Sequence, residues 1–130
     1  LAQFGKNESN IKAHQHIARL YDEKLANVAH ISTPEKKRDH IYTQYIIKVD
    51  KNRDGFAKEL LAGGIGVGLH YVPLHLLSYY RKKYNYRITD FPAALGAYSQ
   101  VLSLPIYPAL SEAEIEHICK VITRIASARV

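Results

Sequence analysis

The residues able to do chemistry gather in one stretch of this sequence. Gly63-Gly64-Ile65-Gly66-Val67-Gly68 runs into His70-Tyr71, and His75 follows beyond Pro73. A glycine run cradles phosphate when its N–H groups open a helix. The mononucleotide version needs Gly-Lys-Ser/Thr at that helix start, and the dinucleotide version sets its glycines between a strand and a helix. Here the glycines leave a helical segment and enter an alternating one, which is the reverse order. They read as a helix cap followed by a strand with one bare face, open to a helix, a backbone or a ligand. His70 continues the bare side, so its imidazole projects where Gly66 and Gly68 leave room. The spacing of His70 and His75 across a proline lacks the i, i+4 helical placement of paired metal ligands, and no third ligand is near in sequence. Contact with a ligand is the better role for them.

Tyr79-Tyr80-Arg81-Lys82-Lys83-Tyr84-Asn85-Tyr86-Arg87 interleaves rings with positive charge. Such a tract stacks bases and holds phosphates, or forms an amphipathic turn whose hydroxyls reach water. His14, His16, His30 and His117 stand apart, and no Ser/His/Asp or Cys/His constellation emerges. The single cysteine, Cys119, falls on the apolar face of a helix and reads as a buried structural thiol in a reducing, cytoplasmic setting.

The elements that position these residues follow from periodicity. Ile11, His14, Ile17, Ala18, Tyr21, Leu25 and Val28 recur at three and four, which predicts a helix over about 8–27 with Lys12, Gln15, Arg19, Asp22 and Glu23 on its polar side. Residues 32–39 read as a loop. His40 to Val49 alternates like a strand, with Ile41, Thr43, Tyr45, Ile47 and Val49 on one side. Asn52 caps a helix from Arg53 to about Ala62, ended by Gly63-Gly64. Residues 65–69 give a short strand, and 78–84 a short helix. Asp90 is placed as the cap of a helix that begins Phe91-Pro92 and reaches about Gln100. Val101–Leu104 is a last strand. Ser111 and Glu114 form a capping box for a final helix striped by Ile115, Ile118, Cys119, Ile122, Ile125 and Ala126. The fold class is α+β, a small antiparallel or mixed sheet of about three strands covered by helices.

The chain has 130 residues, 47% of them hydrophobic, which suits one domain spanning 1–130. No stretch approaches the roughly 20 apolar residues of a membrane span. The formal charge of +6, with concentrations at Lys36-Lys37-Arg38 and Arg81-Lys82-Lys83, fits an acidic partner surface, a phosphorylated ligand or a nucleic acid. Leu1 opens a sequence without methionine, so the chain is read as a piece of a longer protein.

The run Gly64-Ile65-Gly66-Val67-Gly68-Leu69-His70-Tyr71-Val72-Pro73-Leu74-His75 resembles the sugar aminotransferases of the DegT/DnrJ/StrS family. The likeness extends, in order, through Ile17-Ala18-Arg19-Leu20-Tyr21-Asp22, His40 to Tyr45 with Arg53-Asp54, Asp90-Phe91-Pro92 and Leu102 to Pro108. Leu95 departs from it, standing where many relatives carry a glutamate. The resemblance implies the C-terminal small domain of a fold-type I, homodimeric enzyme, with residues 8–27 as the helix connecting it to a large domain. That large domain carries pyridoxal phosphate and the Schiff-base lysine, neither of which is expected in this chain. Amino transfer, usually from glutamate, to a keto group of a nucleotide-linked sugar is the implied activity of the intact enzyme, in polysaccharide or glycan synthesis. His70, Tyr71 and, more weakly, His75 are implied as sugar contacts. The competing reading is a non-catalytic basic domain that binds nucleic acid through Arg81 to Arg87, or a protein-interaction module. Nucleic acid and membrane are not expected partners on the enzyme reading.

Overall fold

The computed structural model describes residues 4–36 and 39–129, so Lys37 and Arg38 of the first basic concentration lie outside the described residues. A 3-10 turn over Phe4–Lys6 leads into α1 (Asn7–Leu25), followed by β1 (Ile31–Ser32), β2 (Tyr45–Val49) and α2 (Arg53–Ala62). The second half holds α3 (Ser78–Tyr84), α4 (Pro92–Gln100), β3 (Val101–Leu104) and α5 (Glu112–Ser127), with 3-10 turns at Leu74–Leu76 and Ile88–Asp90. The sheet is antiparallel in the order β1-β2-β3, and Tyr45 pairs with Leu104 and Ile47 with Leu102. This is the expected α+β architecture.

Period two sorts β2 and β3 into a core face and an opposite face, exposed at Lys48, half-buried at Ile46 and covered at Ser103. Tyr45, Ile47 and Val49 lie buried beside Leu102 and Leu104, under Ile17, Tyr21 and Leu25 of α1 and Ile115, Ile118, Ile122 and Ile125 of α5. All six stripe residues read from the sequence of α5 are buried, with Val121 added. Cys119 is among them, and burial pushes its thiol up to about 11. The capping box closes as expected: Glu114 N–H donates to Ser111 Oγ at 3.3 Å, and Ser111 N–H donates back to the Glu114 carboxylate at 2.8 Å. Asn52 accepts from Gly55 N–H at 3.0 Å, and Gly64 takes a φ of 80° just past α2.

Two rings hold polar groups inside the core. Tyr21 and Tyr45 pack with centroids 4.8 Å apart. The Tyr21 hydroxyl donates to the Pro105 carbonyl at 2.8 Å, and the Tyr45 hydroxyl donates to Asp22 at 2.7 Å. Burial, with the Asp22 carboxylate beside it, raises the Tyr45 phenol far above its ordinary range. Asp22 is therefore inside, a correction to its assignment on the polar side of α1: a carboxylate is buried when a donor meets it.

Other expectations give way to local backbone facts. The strand expected over His40–Val49 begins only at Tyr45, because Tyr42 takes a φ of 50° and its N–H is bonded by His40 Nδ1 at 2.9 Å. A two-residue strand that the sequence did not suggest, β1, pairs with the end of β2, Ile31 against Val49 and Ser32 against Lys48, so Ser32 leaves the segment read as a loop. Residues 65–69 make no strand. Gly68 and Ser103 exchange both backbone hydrogen bonds, at 3.0 and 2.8 Å, but the ladder stops there. In that register the next bonded pairs would set Gly66 against Pro105 and His70 against Val101. Pro105 has no N–H, and the Val101 N–H is already bonded to the Ala97 carbonyl at the end of α4. Asp90 caps its own 3-10 turn with Arg87 instead of α4, whose first residue follows Phe91 without a side-chain cap.

Candidate functional site

β3 carries Leu102 and Leu104 into the core, so Ser103 points to the opposite face. The one bridge to Gly68 brings the glycine segment alongside it. His70 then folds back over Gly68: a Cβ built on Gly68 would lie 2.3 Å from His70 Cε1. The bare glycine is thus the seat of the imidazole, as the alternation predicted. His70 Nδ1 pairs with Ser103 Oγ at 2.8 Å, and no hydrogen bond holds Nε2 among the described residues. If the serine hydroxyl donates to Nδ1, Nε2–H is a donor to solvent or ligand; in the other tautomer Nε2 accepts. Tyr71 stands next to it, 75% exposed, its ring edge-on to the imidazole at 4.9 Å. One oriented imidazole and one phenol thus stand side by side here.

His75 takes a different place. It is 4% exposed, its Nε2 pairs with the Ile88 carbonyl at 3.2 Å, and its ring packs on Phe91 at 5.0 Å. It braces the chain between the 3-10 turn at 74–76 and the one at 88–90, and it floors a cleft of about 510 Å³ walled by Pro73, Tyr80, Tyr84, Tyr86 and Phe91. The structure separates the two histidines by burial: His70 is half-buried with Nε2 unbonded among the described residues, and His75 is packed.

Ser103 escaped the sequence reading, because a lone serine in Val-Leu-Ser-Leu carries no chemical pattern. Alternation alone would have put it opposite the two leucines. Arg53 escaped it too: read as a helix start, it is buried, its guanidinium donating to the Val101 carbonyl at 3.1 Å and lying 5.2 Å from the Tyr98 ring centre. It ties α2 and α4 to the start of β3, and so fixes the strand that holds Ser103.

A cleft of about 650 Å³ lies between Gly64–Gly66, the 105–110 loop and the start of α5. Its polar residues are Tyr107, Glu114 and His117, and Glu114 is spent on the helix cap. Among the described residues no cluster of His, Cys, Asp and Glu has the arrangement of a metal site, and no helix is long and apolar enough to cross a membrane. Large apolar side chains stand exposed from Tyr71 to Phe91, including Val72, Leu74, Leu77 and Tyr79.

Known proteins share this sequence pattern and this fold. The family model described as the DegT/DnrJ/EryC1/StrS aminotransferase family matches residues 1–123. The uncharacterized protein MJ1066 of Methanocaldococcus jannaschii is 34% identical over 96% of this chain and 34% of its own length. The spore coat polysaccharide biosynthesis protein SpsC of Bacillus subtilis is 28% identical over the same shares. Among solved structures, a DegT DnrJ EryC1 StrS aminotransferase from Brucella abortus superposes with a TM-score of 0.84 at 34% identity, covering 97% of this chain and 34% of that one. The chain spans about a third of the length of the curated relatives it matches.

Proposed function

This chain belongs to the DegT/DnrJ/EryC1/StrS aminotransferase family, and from that premise we propose that it supplies one wall of the sugar site in a nucleotide-sugar aminotransferase. The reaction is transfer of an amino group, usually from glutamate, to a keto group of a nucleotide-linked sugar in polysaccharide or glycan synthesis. The observation that carries the reading is the pair His70 and Tyr71, set side by side with the imidazole steered by Ser103. Both side chains hydrogen-bond sugar hydroxyls or a diphosphate oxygen without changing charge, so their work is binding and orientation. His75 acts as a brace between the 74–76 and 88–90 turns.

The family's aminotransferases use pyridoxal phosphate, which supplies the electron sink for amino transfer. The described residues of this chain do not fit that group. Such a site needs a lysine enclosed with a phosphate cradle, and every described lysine is exposed. No step is therefore routed through the cofactor here. Its lysine, a large domain and a second subunit belong to the intact enzyme on this reading, which is a cytoplasmic one.

The test is His70→Asn with Tyr71→Phe in the full-length enzyme, assayed with a keto-sugar nucleotide and glutamate. Loss of one or two hydrogen bonds at about 0.5–1.5 kcal/mol each raises the sugar-nucleotide KM severalfold or more. An unchanged KM, or a protein that transfers no amino group to any nucleotide-linked sugar, refutes the assignment.

A further inference from the structure

We infer that Arg53 is a positioning residue for the sugar site, whose guanidinium occupies the ladder slot that would otherwise draw His70 into the sheet. The inference rests on the sugar-site reading above and adds the group that leaves His70 free to serve it.

Ladder geometry sets up the competition. The Ser103 N–H and C=O both face Gly68 and exchange both bonds with it, at 2.8 and 3.0 Å. In an antiparallel strand the residue two places back turns its N–H and C=O to the same side. Val101 therefore directs both groups toward the place of His70 in the ladder, and its carbonyl would accept from the His70 N–H. Neither group is available. The Val101 N–H is bonded to the Ala97 carbonyl at the end of α4, and the Val101 carbonyl accepts from Arg53 Nη1 at 3.1 Å. Among the described residues no backbone hydrogen bond holds the His70 N–H.

The burial of Arg53 shows that its guanidinium is committed to this place. Its side chain is 6% exposed, and the Tyr98 ring centre lies 5.2 Å from the guanidinium carbon. Asp54 stands 2.8 Å from Nε but out of line with the N–H there, which has no hydrogen-bond partner. The bond to Val101 is the aligned one that the guanidinium makes among the described residues. A charge buried with so few aligned bonds is destabilising, and an apolar side chain would pack there without that penalty. What the guanidinium adds is occupancy of the carbonyl. Held out of the ladder, His70 turns back over Gly68 and reaches Ser103 Oγ at 2.8 Å. Within the ladder its side chain would stand perpendicular to the sheet opposite Val101, away from Ser103.

The experiment is hydrogen exchange resolved to single amides, on the full-length protein and on Arg53→Met. Methionine keeps an unbranched apolar stem and removes the guanidinium, and circular dichroism checks the fold. In the unsubstituted protein the Gly68 amide is expected to be protected and the His70 amide to exchange at least about tenfold faster. In Arg53→Met the His70 amide is expected to slow about tenfold as it takes the freed Val101 carbonyl, while Gly68 and Ser103 keep their protection. A merely structural role would speed all three. The KM for a keto-sugar nucleotide should rise roughly 2- to 12-fold, and Arg53→Met should add nothing to His70→Asn, because both act through one imidazole. A His70 amide as protected as Gly68 in the unsubstituted protein, one that is no slower in the variant, or KM effects that multiply overturns the proposal. The first of these needs no variant, so it decides even where Arg53→Met fails to fold. A protein that transfers no amino group to any nucleotide-linked sugar refutes the sugar-site reading, while the exchange rates still decide whether Arg53 holds His70 out of the ladder.

Discussion

Replacing Gly68 by alanine separates the seat of His70 from the stability of the fold. The new Cβ would sit 2.3 Å from His70 Cε1 and 3.1 Å from each ring nitrogen, so the imidazole must leave. Gly68 is outside the left-handed region, and the backbone accepts the methyl group. The folded state loses the Nδ1–Ser103 hydrogen bond, about 1 kcal/mol. A stiffer unfolded chain returns ~0.4–1 kcal/mol. The two nearly cancel, and the urea midpoint should move by the equivalent of less than about 1 kcal/mol. Ligand binding has no such compensation: a displaced imidazole forfeits a bond of ~0.5–1.5 kcal/mol, a roughly 2- to 12-fold rise in KM for the sugar nucleotide. The His70 ring resonances should shift as the Ser103 contact is lost, a readout independent of turnover. Gly66→Ala is the control, because its Cβ would meet nothing within 4 Å. Refutation would be a Gly68→Ala protein with unmoved His70 resonances and KM, or a Gly66→Ala protein equally impaired.

Removing the hydroxyl in Tyr45→Phe leaves buried Asp22 without its 2.7 Å donor, and should destabilise the protein by ~1.5–3 kcal/mol in urea unfolding; a loss under about 0.5 kcal/mol would show that the bond carries no such weight. Acid should destabilise the fold through three surface carboxylates. Glu114 is held below its ordinary 4.5 by the Ser111 hydroxyl and N–H. The Lys24 ammonium holds Glu116 below 4.5, and the Arg87 N–H and side chain hold Asp90 below 3.8. A carboxyl depressed in the folded state favours folding above its unfolded value, and that contribution fades as pH falls through the lower folded value. Urea midpoints should therefore decline from neutral pH to below 3.8, with Ser111→Ala and Glu114→Gln flattening the decline; a midpoint independent of pH over that range would contradict the assignment.

Much of the site was legible in the sequence because it depends on neighbours in the chain. Alternating Gly66, Gly68 and His70 state that one face is bare and that an imidazole follows on it, and the structure places the ring over Gly68. The capping box at Ser111 and Glu114, the cap at Asn52 and the stripe of α5 are contacts within four residues, decided by helix geometry. The collinear run from Gly64 to His75 carried the resemblance that the family match bears out.

Other features required the whole fold. Ser103 lies 33 residues from His70, and only the bridge between Gly68 and β3 makes them partners. Asp22 reads as a surface residue until Tyr45 arrives from β2 with a donor. The short life of the glycine strand depends on Pro105 and on an N–H that α4 has already claimed at Val101, neither visible from residues 65–69. The identity of each side chain and its local spacing determined which groups were available, since steric and helical rules act over a few residues. Which of them meet, and so which histidine is half-buried and which is packed, was decided by tertiary structure, because hydrogen bonds and burial are set by partners far away in the chain.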